Sequence, residues 1–190
     1  PDSGKIPEGR YYGRGCQRLN PDRSAQENII HKMEEIMDKT DIRYQAYIDI
    51  LKEELIPAMG CTEPIALAYA AATARELLGA MPERVEVSAS GSIIKNVKSV
   101  IVPNTGHLKG IPAAAAAGIV AGDAEKQLEV ISCVTPEQET QIREFLEQVP
   151  ITVEHIDHHI TFDIFVTLYR GEESSRVRIA NYHTNLVYKE

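Results

Sequence analysis

Apolar residues at helical spacing predict the first two helices of this chain. One helical face is formed by Tyr44, Tyr47, Ile48, Leu51 and Leu55. Pro57 ends this helix, since proline cannot continue one. A second helix is predicted to begin around Thr62-Glu63-Pro64, where a proline in the first turn costs little, and to stop at Gly79. Its surface is rich in alanine, which predicts close packing on more than one side.

Alternating residues predict strands in two parts of the chain. Val85, Val87 and Ala89 indicate a half-buried strand, and a second short strand is expected at residues 100–102. Residues 151–153 begin a further run of strands. Residues 160–168 alternate cleanly, Gly171 lies in the following turn, and residues 177–179 form the returning strand. The apolar stretch just before Tyr188-Lys189-Glu190 resembles one more strand.

Two further helices lie between these strands. Pro112 opens an alanine-rich helix that stops near Gly122, and Thr135 begins another with a capping-box pattern. Helices and strands in this order predict an α+β fold, with two layers in which a mostly antiparallel sheet packs against the alanine-rich helices.

The two ends of the chain differ from this middle part. Residues 1–32 are rich in Gly, Pro and Arg and show no apolar period, which predicts a disordered or non-native tail. Met33 is a plausible native start. We therefore expect one domain over residues 33–190, and the abrupt end after a strand is typical of a domain cut from something longer.

Composition limits the classes of function. The formal net charge is −8, which argues against binding to nucleic acid, and no apolar run approaches the ~20 residues that span a bilayer. No secretory signal is visible, so the expected compartment is the cytoplasm. The three cysteines, at positions 16, 61 and 133, form no local metal-binding pattern.

Three polar stretches could carry chemistry. Gly60-Cys61-Thr62-Glu63-Pro64 places a cysteine at the mouth of a helix, where the dipole and free N–H groups favour a thiolate; the alternative is a small buried residue. Lys95-Asn96 and the sequence VPNTGH at 102–107 are predicted polar loops that either bind an anion or only connect elements. His183-Thr184-Asn185 follows a strand, and its histidine either moves a proton or is structural.

Taken together, these stretches resemble the iron–sulfur L-cysteine desulfidase family, to which the iron–sulfur L-serine dehydratases are related. The resemblance rests on GCTEPIALAYAAA, then KN, VPNTG and HTN in this order, and it covers about residues 41–188. It identifies the chain as the N-terminal domain of such an enzyme. GCTEP is the most specific of these motifs.

The resemblance implies a lyase that does not use pyridoxal phosphate. Three cysteines of the family hold a [4Fe–4S] cluster, and β-elimination converts L-cysteine or L-serine to pyruvate, ammonia and sulfide or water. By resemblance, Cys61 is a cluster ligand. The catalytic candidates are Lys95 and His183. The remaining matched polar residues are expected to bind substrate: Thr62, Glu63, Asn96, Thr105 and Asn185.

The chain departs from the family in its cysteines. The other two cluster ligands belong to a C-terminal half that this sequence does not contain, and Cys133 matches no position of the motif. The chain is therefore expected to hold no cofactor and to be inactive alone. The implied partners are an amino-acid substrate and the missing half or a partner subunit. The alanine-rich helices could pack against that half, and the surface it leaves exposed would favour a homodimer.

Two other functions stay open. The sequence His155-Ile156-Asp157-His158-His159 is similar to the Asp-His-His signature of manganese-dependent phosphoesterases, although no D-x-D motif accompanies it. The domain could also be a non-catalytic regulatory or small-molecule-binding module.

Overall fold

The computed structural model describes residues 31–32, 40–55, 58–157 and 159–190. The elements below lie in the unit Lys39–Glu190. Its helices are α1 (Ile42–Glu54), α2 (Thr62–Leu78), α3 (Gly91–Val97), α4 (Gly110–Ala121), a 3-10 helix (Ala124–Glu129) and α5 (Pro136–Gln148). Its strands are β1 (Arg84–Ser90), β2 (Ile151–Ile156), β3 (Asp163–Arg170), β4 (Glu173–Ala180) and β5 (Leu186–Lys189).

The five strands form one sheet in the order β2-β1-β3-β4-β5. The pairing of β1 with β2 is parallel, whereas β1–β3, β3–β4 and β4–β5 are antiparallel. The parallel pair is explained by the connection, since the chain passes through α3, α4 and α5 before it returns as β2. The predicted α+β fold, with a mostly antiparallel sheet against helices, is confirmed.

The core lies between the sheet and the alanine-rich helices. Residues 64–74 of α2 are all buried, and α4 is buried from Gly110 to Ile119 except at Pro112. A Cβ atom at Gly118 would overlap the backbone carbonyl of Ala68, so the two helices touch backbone to backbone. These alanines are therefore covered within this unit.

Several predicted boundaries are confirmed. Helix α2 starts at Thr62 and ends at Leu78, and the capping residue Gly79 adopts the left-handed conformation with a φ of 69°. The capping box of α5 is present, because the Thr135 hydroxyl accepts from the Gln138 N–H and the Gln138 side chain accepts from the Thr135 N–H. Among the described helices, none has both the length and the apolar character needed to cross a membrane.

Three local predictions are wrong. Residues 91–97 form helix α3 and not a loop, because Ile93 and Val97, four residues apart, are buried on one side of it. Residues 100–102 form only an isolated bridge, from Ile101 to Lys109. Strand β3 begins at Asp163, so the alternation over 160–162 lies in the preceding turn. The predicted tail, Met33 and Pro57 fall outside the described residues, except for 31–32.

Candidate functional site

The start of α2 carries the first group of candidate residues. Cys61 is the N-cap residue, Thr62 begins the helix, and Glu63 lies in its first turn. The Cys61 thiol donates a hydrogen bond to Oε2 of Glu63 over 3.1 Å. The backbone just before it is fixed by the Met59 N–H, which donates to the Leu128 carbonyl over 3.2 Å. The cysteine is therefore held at an exposed position with its sulfur turned toward a carboxylate.

The carboxylate of Glu63 changes the acidity of this cysteine. Partial burial of the sulfur raises the pKa of the Cys61 thiol, and the hydrogen bond and negative charge of Glu63 raise it further. The same hydrogen bond lowers the pKa of Glu63. In the structure, burial and Glu63 thus oppose the thiolate that the helix start favours.

His183 comes to the same place from the far end of the chain. Its Nε2 lies 3.0 Å from the Thr62 hydroxyl oxygen, 121 residues away in sequence. The imidazole packs on the ring of Phe162, with centroids 4.4 Å apart and planes tilted by 59°. Burial lowers the pKa of His183, while the negative charge of Glu63 opposes that shift. The imidazole is therefore neutral at neutral pH and can accept a proton.

Helix α3 supplies Asn96 to this group. Its Nδ2 donates to Oε1 of Glu63 over 3.4 Å, so the carboxylate lies between a thiol and an amide. Lys95 precedes it on α3 and is exposed. Among the hydrogen bonds found in the described part of the chain, none joins Lys95 to the other candidates.

Thr105 and Asn185 hold their own loops together. Thr105 is fully buried, and its hydroxyl donates to the Val102 carbonyl over 2.8 Å. Asn185 donates from Nδ2 to the Ala180 carbonyl over 2.9 Å, which closes the turn that carries His183. The predicted role of both residues in substrate binding stays a prediction.

The VPNTGH loop is braced by residues that the sequence patterns did not single out. Arg143 of α5 donates from Nη2 to the Gly106 carbonyl over 2.6 Å, and Asn104 donates to the Ile131 carbonyl over 3.0 Å. A Cβ atom at Gly60 would lie 3.6 Å from Cγ of Pro103, so this loop adjoins the GCTEP segment. Phe162 was equally missed, because its role depends on a contact with His183 that no local spacing shows.

The residues of the rival metal site are only partly described. His155 lies on the edge strand β2, where it pairs with Ala89, and it is exposed. Asp157 and His159 are exposed too, while His158 lies outside the described residues. The phosphoesterase interpretation stays a prediction.

The fold and this cluster define an α+β domain that gathers one thiol, one carboxylate, one hydroxyl, one amide and one imidazole at a helix start. Proteins called UPF0597 are similar to this chain in sequence. One from Desulfitobacterium hafniense (strain Y51) is 53% identical over 154 residues, which are 81% of this chain and 36% of the relative. One from Lachnoclostridium phytofermentans is 47% identical over 143 residues, or 75% of this chain and 34% of the relative.

A third UPF0597 protein, from Treponema denticola, is 41% identical over 151 residues, which are 80% of this chain and 35% of the relative. The chain thus spans about a third of the length of these relatives. No protein-family model matches the chain.

Proposed function

We propose that this chain is one part of a lyase that releases pyruvate and ammonia from L-cysteine or L-serine by β-elimination. The observation that carries the proposal is the contact between Thr62 of the GCTEP motif and His183 of the HTN motif. The family resemblance rests on both motifs, and a shared catalytic site requires them to meet. Their meeting supports a common role, since 121 residues separate them in sequence.

The described side chains suit the proton transfers of such a reaction. A base removes the α-proton, the Cβ–S or Cβ–O bond breaks, and its electron pair leaves with sulfide or hydroxide. The enamine that remains becomes an imine and hydrolyses to pyruvate and ammonia. His183 is the better candidate for the base, because its imidazole is neutral and hydrogen-bonded to the Thr62 hydroxyl. Lys95 is exposed on α3, and no hydrogen bond found among the described residues joins it to this site.

The donor atoms at this site fit one corner of an iron–sulfur cluster. A [4Fe–4S] cluster is held by cysteine thiolates. Cys61 offers one such thiol, and the carboxylate of Glu63 lies beside it. When bound, the cluster would supply a Lewis-acid iron that activates the substrate. Cys61 would be one ligand, and the other thiolates would come from the rest of the polypeptide or from a partner subunit, in the cytoplasm where thiols stay reduced.

The test is anaerobic reconstitution of the complete protein with iron and sulfide. We expect a brown protein that forms pyruvate from L-cysteine or L-serine, and Cys61→Ser should lose both colour and activity. Cys133→Ser, at a position outside this cluster, is the control and should keep both. Equal iron uptake by wild type and Cys61→Ser would contradict the assignment of the ligand. Absence of pyruvate with both substrates would contradict the lyase proposal and favour a non-catalytic binding module.

A further inference from the structure

Glu63 is a carboxylate whose hydrogen-bond partners in this site are neutral. Its two oxygens accept from the Cys61 thiol and the Asn96 amide. Within the described residues, no Lys or Arg forms an ion pair with it, and the neighbouring imidazole of His183 is neutral at neutral pH. Glu63 is also half-buried. A carboxylate that has lost part of its water and has no cation beside it is a strong acceptor for a cationic ligand.

Its position at a helix start explains the carboxylate only in part. Acidic residues are common in the first turn, because the helix dipole favours negative charge there. Glu137 occupies the corresponding position of α5, also the second residue of its helix, and is exposed. Glu63 differs from it because, besides the N-cap residue Cys61, a residue of another helix, Asn96, donates to its second oxygen. The helix start explains why an acidic residue occupies position 63, whereas these hydrogen bonds fix the direction of its carboxylate.

The neighbours of Glu63 indicate which cation would fit. The Thr62–His183 pair lies directly beside it, and the proposed reaction removes a proton from Cα. In an α-amino acid the ammonium nitrogen is bonded to that same carbon. An ammonium group has three N–H donors. The two oxygens of Glu63 each accept from one neutral donor, so they can still accept hydrogen bonds from an ammonium group. A substrate held by its ammonium at Glu63 would therefore present its Cα–H to the neighbouring hydroxyl and imidazole.

We propose that Glu63 binds the α-ammonium group of the substrate, so that this site selects free L-amino acids that carry an unmodified amino group. The inference rests on the proposed function for the identity of the substrate. Cys61, Asn96 and Glu63 lie in this chain, so the ammonium contact needs no residue from elsewhere. Binding of an amino acid that cannot undergo elimination should then be measurable with the chain alone.

The experiment is a titration of the ¹⁵N-labelled chain, followed by the amide resonances of residues 61–63, 96 and 183. L-alanine is the probe, because it has the ammonium and carboxylate of the substrate but no leaving group. Propionate lacks the ammonium and tests that group by itself. We expect L-alanine to shift these resonances and to bind at least about tenfold more tightly than propionate, as a charge-assisted hydrogen bond requires.

The variants are Glu63→Gln and the matched control Glu137→Gln. Glutamine keeps one acceptor oxygen and replaces the other by an NH2 donor, which can pair with the Asn96 amide after that amide turns over, so the fold should persist, which the dispersion of the spectrum checks. We expect Glu63→Gln to weaken L-alanine binding at least about tenfold and Glu137→Gln to leave it unchanged. Three results would overturn the inference: no binding of L-alanine at tens of millimolar, equal binding of propionate, or equal binding by Glu63→Gln.

These outcomes are separate from those of the reconstitution test. If L-alanine binds as expected but the complete protein forms no pyruvate, the amino-acid site stands and the lyase function fails. If pyruvate forms and Glu63→Gln binds L-alanine normally, the lyase function stands and the role of Glu63 fails.

Discussion

His183 shows how one residue connects the stability of the domain to its chemistry. Its ring is packed on Phe162 and bonded to Thr62, and burial lowers its pKa. The neutral imidazole that results is the form that can accept a proton. The sequence predicted His183 as a candidate from its place after a strand. Its partners could not be predicted, because the contacts join residues that are distant along the chain.

The lowered pKa of His183 predicts that the folded chain loses stability in mild acid. Protonation is easier in the unfolded state, where the pKa is about 6.5. The contribution is therefore fully present above that pH and is lost as the pH falls toward the lower pKa of the folded state. Urea unfolding at pH 8 and pH 5 should show a smaller loss for His183→Gln than for wild type. Equal losses would mean that burial of this imidazole does not disfavour its charge.

For Cys61, too, only part of the environment could be predicted from the sequence. A cysteine before a helix could be identified from sequence, and so could the helix start itself. The sign of its pKa shift could not, because it depends on the direction in which the Glu63 side chain turns.

At the level of elements, the contact between α2 and α4 holds the core together. Alanine runs predicted close packing, and the structure shows the reason in the approach of Gly118 to the Ala68 carbonyl. Long periodic helices and alternating strands were predictable, because each buries one face with a fixed spacing. Helix α3 was not, since its seven residues form too short a pattern to distinguish from a polar loop.

Gly118→Ala should destabilise the domain through this contact. The added methyl group has no space, so the helices must move apart, at a cost of about 2 kcal/mol or more in the free energy of unfolding. Urea denaturation followed by circular dichroism measures the change. Gly171→Ala is the control, because its turn has a positive φ of 57° but no atom near the added Cβ. We expect about 1 kcal/mol there. An equal cost at both positions would argue against crowding at the helix contact.

At the level of the whole molecule, the sheet brings the two ends of the unit together. Strand β4 lies between β3 and β5, and the turn after β4 carries His183 to the start of α2. The fold class followed from the order of elements, but the strand order and the parallel pair did not, since local patterns do not specify which strands pair. The relatives extend well beyond the part that this chain matches.

The most direct test of the account is whether Thr62 and His183 act together in catalysis. The measurement is kcat/KM for pyruvate formation from L-cysteine by the complete, reconstituted protein, in wild type, Thr62→Val, His183→Gln and the double variant. We expect His183→Gln to lower the rate by about 100-fold or more, as loss of an acid–base group does. The double variant should have a kcat/KM no lower than that of the less active single variant, because the effects of residues that act as a unit are not additive. Losses that multiply, or a His183→Gln protein with normal activity, would contradict the account.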